Sequence, residues 1–141
     1  MPIKIMDYNK ISSELKKVSE KPIEIALDII STENSELHSF VIYGKNSDKL
    51  ERFACDSGDE ALDAAIEFIK EIEDGSENVV YVFKETIELN DGEFDAIVVH
   101  VYGIDEDTGY SFGQLYRVND HKLQLMNEKV FLGKIRNVLV F

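Results

Sequence analysis

The side chains that could perform chemistry in this chain are three histidines, one cysteine and many carboxylates. His38, His100 and His121 lack the i, i+4 spacing by which a helix presents two imidazoles to zinc. Cys55 is the only cysteine, so neither an internal disulfide nor a cysteine metal cluster can form. A catalytic base needs a positioned partner, and no residue near His100 in the sequence is spaced to be one. We therefore predict no catalytic residue, no metal site and no cofactor, which favours a non-enzymatic protein.

Two Asp-Ser/Thr-Gly segments, Asp56–Gly58 and Asp107–Gly109, resemble the turn on which aspartic proteases carry their catalytic carboxylates. The second segment follows Asp105 and Glu106, where that family has apolar residues. After the first turn the family continues into strands, whereas this chain enters its clearest helical pattern. These departures favour a simpler interpretation, in which the first segment caps a helix and residues 105–109 form a hairpin turn.

A helix at 58–74 is the best-marked element of the sequence. Ser57 and Glu60 have the S-x-x-E spacing of a capping box, in which the serine hydroxyl accepts a bond from a backbone N–H of the first turn. Gly75 supplies the stop. Apolar residues follow at helical spacing and form one stripe: Leu62, Ala65, Ile66, Ile69 and Ile72.

The polar side of this helix carries acids one turn apart: Asp59, Asp63, Glu67, Glu71 and, three residues further, Asp74. Like charges at i, i+4 destabilise a helix by roughly 0.2–0.5 kcal/mol per pair. A local conflict of this sort is a place where a functional surface is expected. A solvated acidic face with no binding role is the alternative interpretation.

The N-terminal part predicts a second helix at 8–20, which Pro22 interrupts. Ile23, Ile25, Leu27 and Ile29 then alternate as in a strand, although a continuing helix is the alternative because this segment contains good helix formers. Strands are predicted at 37–43 and 49–55. The type of the last apolar segment, including residues 133–141, stays open.

Residues 79–125 predict an antiparallel meander with turns at Asn90–Gly92, 105–109 and Asn119–Asp120. The strand after Asn90–Gly92 is apolar on both faces, so we expect it to be central and covered on both sides. The fold class is therefore α+β, with an antiparallel, mostly meander sheet of about five to seven strands. It packs against one principal amphipathic helix (58–74) and an N-terminal helix.

The length of 141 residues suits a single domain over 1–141. The net charge of −13 is concentrated in residues 48–109, where 4 Lys/Arg and 19 Asp/Glu give −15. Binding to nucleic acid or an anionic membrane needs clustered Lys and Arg, so neither is an expected partner. The chain has no apolar run of about 18 residues and no secretory signal, and its single cysteine favours a reducing compartment. We expect a cytoplasmic protein.

These patterns favour an acidic interaction protein that binds a basic partner protein, with an inhibitor or immunity-type protein as the concrete form. Its binding surface is predicted to comprise Asp59, Asp63, Glu67, Glu71, Asp74, Asp91, Asp105 and Asp107. One alternative is a small-ligand-binding domain or an enzyme with a pocket between helix and sheet, lined by Tyr81, His100, Tyr102 and Tyr116. Another is a structural homodimer formed through the apolar C-terminal segment; otherwise a monomer is expected.

Overall fold

A computed structural model describes residues 13–32, 37–45, 48–53, 57–72, 77–89, 92–106, 108–119 and 122–139. Two helices lie in these ranges, α1 (Ser13–Thr32) and α2 (Gly58–Lys70). The strands are β1 (Ser39–Tyr43), β2 (Lys49–Phe53), β3 (Asn78–Leu89), β4 (Gly92–Gly103), β5 (Thr108–Asn119) and β6 (Lys122–Arg136). Neither described helix is long and apolar enough to cross a membrane.

All described strands belong to one antiparallel sheet with the order β2-β1-β3-β4-β5-β6. β3 to β6 are consecutive hairpins, and the ladders close at Leu89–Gly92 and Asn119–Lys122, as the turn residues predicted. Helix α2 connects β2 to β3, which pairs with β1. The predicted α+β class with a largely meander sheet is confirmed.

Helix α1 continues through Pro22, so the strand predicted at 23–29 is wrong and the helical alternative is right. The predicted helix at 8–20 coincides with α1 from Ser13, and residues 8–12 lie outside the described ranges. Pro22 has no N–H to donate to the carbonyl four residues earlier, yet tertiary packing outweighs this loss. The buried residues recur at helical spacing because α1 lies along the sheet: Leu15, Ser19, Pro22, Ile23, Ala26 and Ile30.

The sheet face beneath α1, here called the α1 face, holds the largest apolar cluster. α1 packs on β3 and β4, and its Ala26 and Ile30 contribute to this cluster. The sheet contributes alternate residues from four neighbouring strands: Phe40, Ile42, Val80, Val82, Ile97, Val99, Val101, Phe112 and Tyr116. The period of two along each strand places the intervening residues on the opposite face.

Helix α2 packs on that opposite face, here called the α2 face. The Ser57 hydroxyl caps it by accepting a bond of 3.1 Å from the backbone N–H of Glu60, as predicted. Ala61, Ala65 and Ile69 are buried, and the predicted apolar stripe faces the sheet. The helix ends at Lys70 and not at residue 74, because Glu71 is its C-cap and bonds back to Ile69 and Phe68.

The C-terminal segment is a strand as far as Arg136 and then turns back into the core. Asn137 is 1% exposed, and its Nδ2 donates to the carbonyls of Gly103 and Glu106, both at 2.8 Å. Its Oδ1 accepts a 3.1 Å bond from the backbone N–H of Leu139. One side chain therefore joins the end of β6 to the turn between β4 and β5.

Replacing Asn137 should be the costliest polar substitution in this region. Asn137→Leu removes partners from three backbone groups, and unsatisfied buried groups cost about 1–3 kcal/mol each. We expect the free energy of unfolding, measured in urea, to fall by about 3 kcal/mol. Gln124→Ala is the control, because that amide forms an exposed bond to Arg117. Equal, small effects of the two substitutions would contradict the role given to Asn137.

Candidate functional site

Three rings form a contiguous group on the α2 face, here called the ring cluster: Tyr81, Phe83 and His100. Tyr81 and His100 face each other across β3 and β4, and their ring centroids are 6.0 Å apart. Phe83 lies one pleat further along β3, stacked on Tyr81 at 5.4 Å and edge-on to His100 at 5.1 Å. Antiparallel pairing and the period of two thus bring together rings from two strands.

His100 is neutral in this setting. Burial disfavours the charged imidazolium and lowers the pKa of His100 to about 4. No described residue forms a hydrogen bond with its imidazole, and its contacts are the edges and faces of the other two rings. The imidazole therefore offers one donor and one acceptor to an incoming group and carries no charge that would repel a cation.

A cleft of about 370 Å³ lies between the ring cluster and the first turns of α2. The helix contributes Gly58, Asp59 and Leu62 to its wall, and β1 contributes Ser39. The floor and rim come from β3 and β4: Tyr81, Phe83, Lys84, Glu85 and His100. Helix α2 makes most of its sheet contacts with β1 and β2, so its first turn leaves a gap above the ring cluster of β3 and β4.

The outer side of α2 carries the acidic row, defined here as Asp59, Asp63, Glu67 and Glu71. All four side chains are exposed, on the side opposite buried Ala61, Ala65 and Ile69. None of them forms an ion pair with another described residue, and Lys70 is the one cation within α2. Asp59 also lines the cleft, so the acidic row begins at the rim of that cavity.

The other predicted acidic positions do not all extend this surface. Asp74, Asp91 and Asp107 lie outside the described residues. Asp105 is exposed in the turn after β4, where the backbone N–H of Ile104 bonds to Glu77 just before β3. The β3–β4 ladder closes at Leu89 and Gly92 at the other end of the sheet. Asp105 therefore lies at the end of the sheet where β3 begins.

The four residues predicted to line a pocket are divided between the two faces. Tyr81 and His100 line the cleft, as that hypothesis required. Tyr102 shares the α2 face but is 2% exposed in the core, with its ring over Gly109. Tyr116 lies on the α1 face, so the prediction that it joins the others is wrong. The register of β5 against β4, which pairs Tyr116 with Asp95, decides this placement.

Sequence reasoning missed Phe83, Glu85, Leu62 and Ser39 as lining residues. Phe83 and Glu85 follow Tyr81 at the strand period, so extending the alternation along β3 would have found them. Leu62 and Ser39 depend on where α2 crosses the sheet, for which the sequence carries no local signal. Within the described ranges, no group of three or more His, Cys, Asp or Glu side chains is arranged to hold a metal ion.

The apolar C-terminal segment, which suggested a homodimer, packs within the chain itself as far as it is described. Val130 joins a cluster with Ile87, Ala96, Val98 and Leu115 on the α2 face beyond the helix. Val138 is buried with Tyr81 and Tyr102. The side chains of Val130 and Val138 are therefore occupied within the chain, and the homodimer stays a prediction.

The neutral state of His100 predicts a pH dependence of stability. The folded pKa of His100 is about 4 and its ordinary value is 6.5, so the unfolded chain binds the proton first as the pH falls. The stabilisation is complete above pH 6.5 and is lost towards pH 4, by up to roughly 3 kcal/mol. His100→Gln removes this titration, so urea unfolding at successive pH values should give a flatter profile. Parallel profiles for the two proteins would refute the assignment.

The hydroxyl group of Tyr116 is a buried polar group that lowers the stability of the fold. Its hydroxyl is buried without a hydrogen-bond partner in the described part of the chain, and burial together with the Asp95 charge raises its pKa to about 12. We expect Tyr116→Phe to raise the free energy of unfolding by about 1 kcal/mol, since it removes an unsatisfied group. Tyr110→Phe, at a half-buried tyrosine of the same strand, is the control. A destabilised Tyr116→Phe would show that the hydroxyl has a partner.

The candidate site therefore combines two adjoining features, an open cleft floored by aromatic rings and an exposed acidic row that starts at its rim. Asp59 belongs to both.

No protein-family model matches the chain, and no curated protein or solved structure shows significant similarity to it.

Proposed function

We propose that this chain is a non-enzymatic interaction protein that binds a basic protein through the acidic row of α2. The concrete form of the proposal is an inhibitor or immunity-type protein that covers the cationic surface of its partner. The single observation that carries it is the exposure of four carboxylates along one side of α2 without ion pairs to other described residues. An inhibitor of this kind acts where its partner is made, so we place it in the cytoplasm.

The acidic row differs energetically from scattered surface charge. The opposite side of α2 packs in the core, which fixes the position of the helix. The carboxylates of the acidic row therefore project from one fixed surface. Repulsion along such an array destabilises the free protein slightly and is relieved when cations approach. A patch of one sign also speeds diffusional association with a basic partner, and salt weakens this effect.

A small-ligand-binding function is the second candidate, and the cleft is the observation that favours it. Its volume of about 370 Å³ is at the lower end of the range for ligand pockets, and its lining mixes aromatic with polar side chains. The two functions depend on different residues. The acidic row acts on a protein surface, whereas a ligand pocket requires only the ring cluster and the residues at the rim.

Reversing charges in the middle of the acidic row should weaken partner binding strongly. In Asp63→Lys/Glu67→Lys, two residues that do not line the cleft change sign, and the net charge moves from −13 to −9. Each variant is immobilised, and the proteins it captures from the native lysate are identified by mass spectrometry. We expect the wild type to capture a protein with a pI above about 9, and the variant to lose it. With purified partner at low salt, association should slow by about tenfold or more.

Glu20→Lys/Glu24→Lys on α1 is the matched control. These exposed acids have the same spacing and give the same net charge, but they lie on the opposite side of the sheet. The control should capture the partner as the wild type does. Capture of the same basic protein by the α2 variant and the wild type would rule out the proposal, and equal loss in both variants would reduce it to an effect of net charge.

A further inference from the structure

We infer that the cleft receives the guanidinium group of an arginine side chain from the basic partner, with Phe83 as the stacking ring and Asp59 and Glu85 as the paired carboxylates. This inference rests on the proposed function and gives its interface a central anchor. Binding energy at protein interfaces is concentrated in a few such anchors, and arginine in a pocket is among the commonest.

The ring cluster supplies the flat surface that this group requires. Phe83 is half-buried and lines the cleft, and the ring of Tyr81 stacks on it with the centroids 5.4 Å apart. A planar guanidinium stacks on an aromatic face and is attracted by the ring quadrupole. Because Tyr81 is 2% exposed, it acts as a packed support that holds the Phe83 ring in place.

The charges at the rim favour a cation. Asp59 from α2 and Glu85 from β3 are both exposed and line the same cleft. Lys84, next to Glu85, also lines the cleft and contributes one positive charge, although strand alternation sets its Cβ on the α1 face, opposite to that of Glu85. The amino end of α2 contributes a partial positive charge of about half a unit, which two carboxylates outweigh. The cleft is therefore negative where its floor is aromatic.

His100 makes the cleft more favourable to arginine than to lysine. Its uncharged imidazole has no bond to a described residue and can accept one N–H, while the carboxylates accept others. A guanidinium has five donors in a plane and satisfies acceptors on several sides while it stacks. An ammonium group is strongly hydrated and lacks the flat face, so it gains less here.

Nuclear magnetic resonance with small probes tests the cleft without the partner. Nα-acetyl-arginine amide is titrated into the full chain at low salt, and the ring protons of His100 and Phe83 are followed, the His100 signals being assigned from His100→Gln. We expect saturable shifts of these rings with the arginine probe. Nα-acetyl-lysine amide should bind at least several-fold more weakly.

Two matched variants make the test specific. Glu85→Gln should weaken binding of the arginine probe several-fold, whereas Glu88→Gln, an exposed acid of the same strand on the α1 face, should leave it unchanged. Phe83→Leu should abolish saturable binding, and circular dichroism and urea unfolding confirm that each variant is folded. The inference is overturned by absent saturation, by equal binding of both probes, or by equal effects of Glu85→Gln and Glu88→Gln.

Failure of this inference differs from failure of the proposed function. If the arginine probe does not bind, but Asp63→Lys/Glu67→Lys loses the partner, the acidic row binds without an anchor in the cleft and only the inference falls. If the probe binds and that double variant still captures the partner, the proposed function falls while the cleft remains a guanidinium site.

Discussion

Burial of β4 on both faces is the constraint from which the rest of the architecture follows. Ile97, Val99 and Val101 face α1, whereas Ala96, Val98 and Tyr102 lie on the other side, and all six are at most 2% exposed. A strand with this pattern cannot lie at an edge or turn one face to water without exposing several large apolar side chains, each worth about 1.5–3 kcal/mol. The chain therefore places strands on both sides of β4 and layers on both faces.

Much of this arrangement can be predicted from the sequence, because the signals are local. The double apolar pattern of β4, the Ser57 cap and the turn at Asn90–Gly92 each depend on neighbouring residues, and each predicts an element that is present. The wrong prediction of a strand at 23–29 also has a local cause. Ile23, Ile25, Leu27 and Ile29 alternate because α1 is apolar over a wide arc, and a proline such as Pro22 usually marks the end of a helix. Packing on the sheet outweighs both signals.

The candidate site was less predictable because it depends on register and on the path of α2. Strand alternation predicts that Tyr81 and His100 share a face with their neighbours, and the pairing of β3 with β4 brings the two to one cleft. Tyr116 has the same kind of alternation but faces the other helix. Which face a residue of β5 occupies changes with a shift of one residue, and β5 and β6 contain register irregularities at Ser111/Phe112 and Gln114/Tyr116.

The three bonds of Asn137 also bear on how long a folded molecule persists. Its carbonyl acceptors lie 34 and 31 residues earlier in the chain, so these bonds form only after β4, β5 and β6 have come together. Interactions made after the rate-limiting step for folding act mainly on the rate of unfolding. We therefore expect Asn137 to act mainly by slowing the opening of the last strand, and with it cleavage by proteases that act on transiently opened chains.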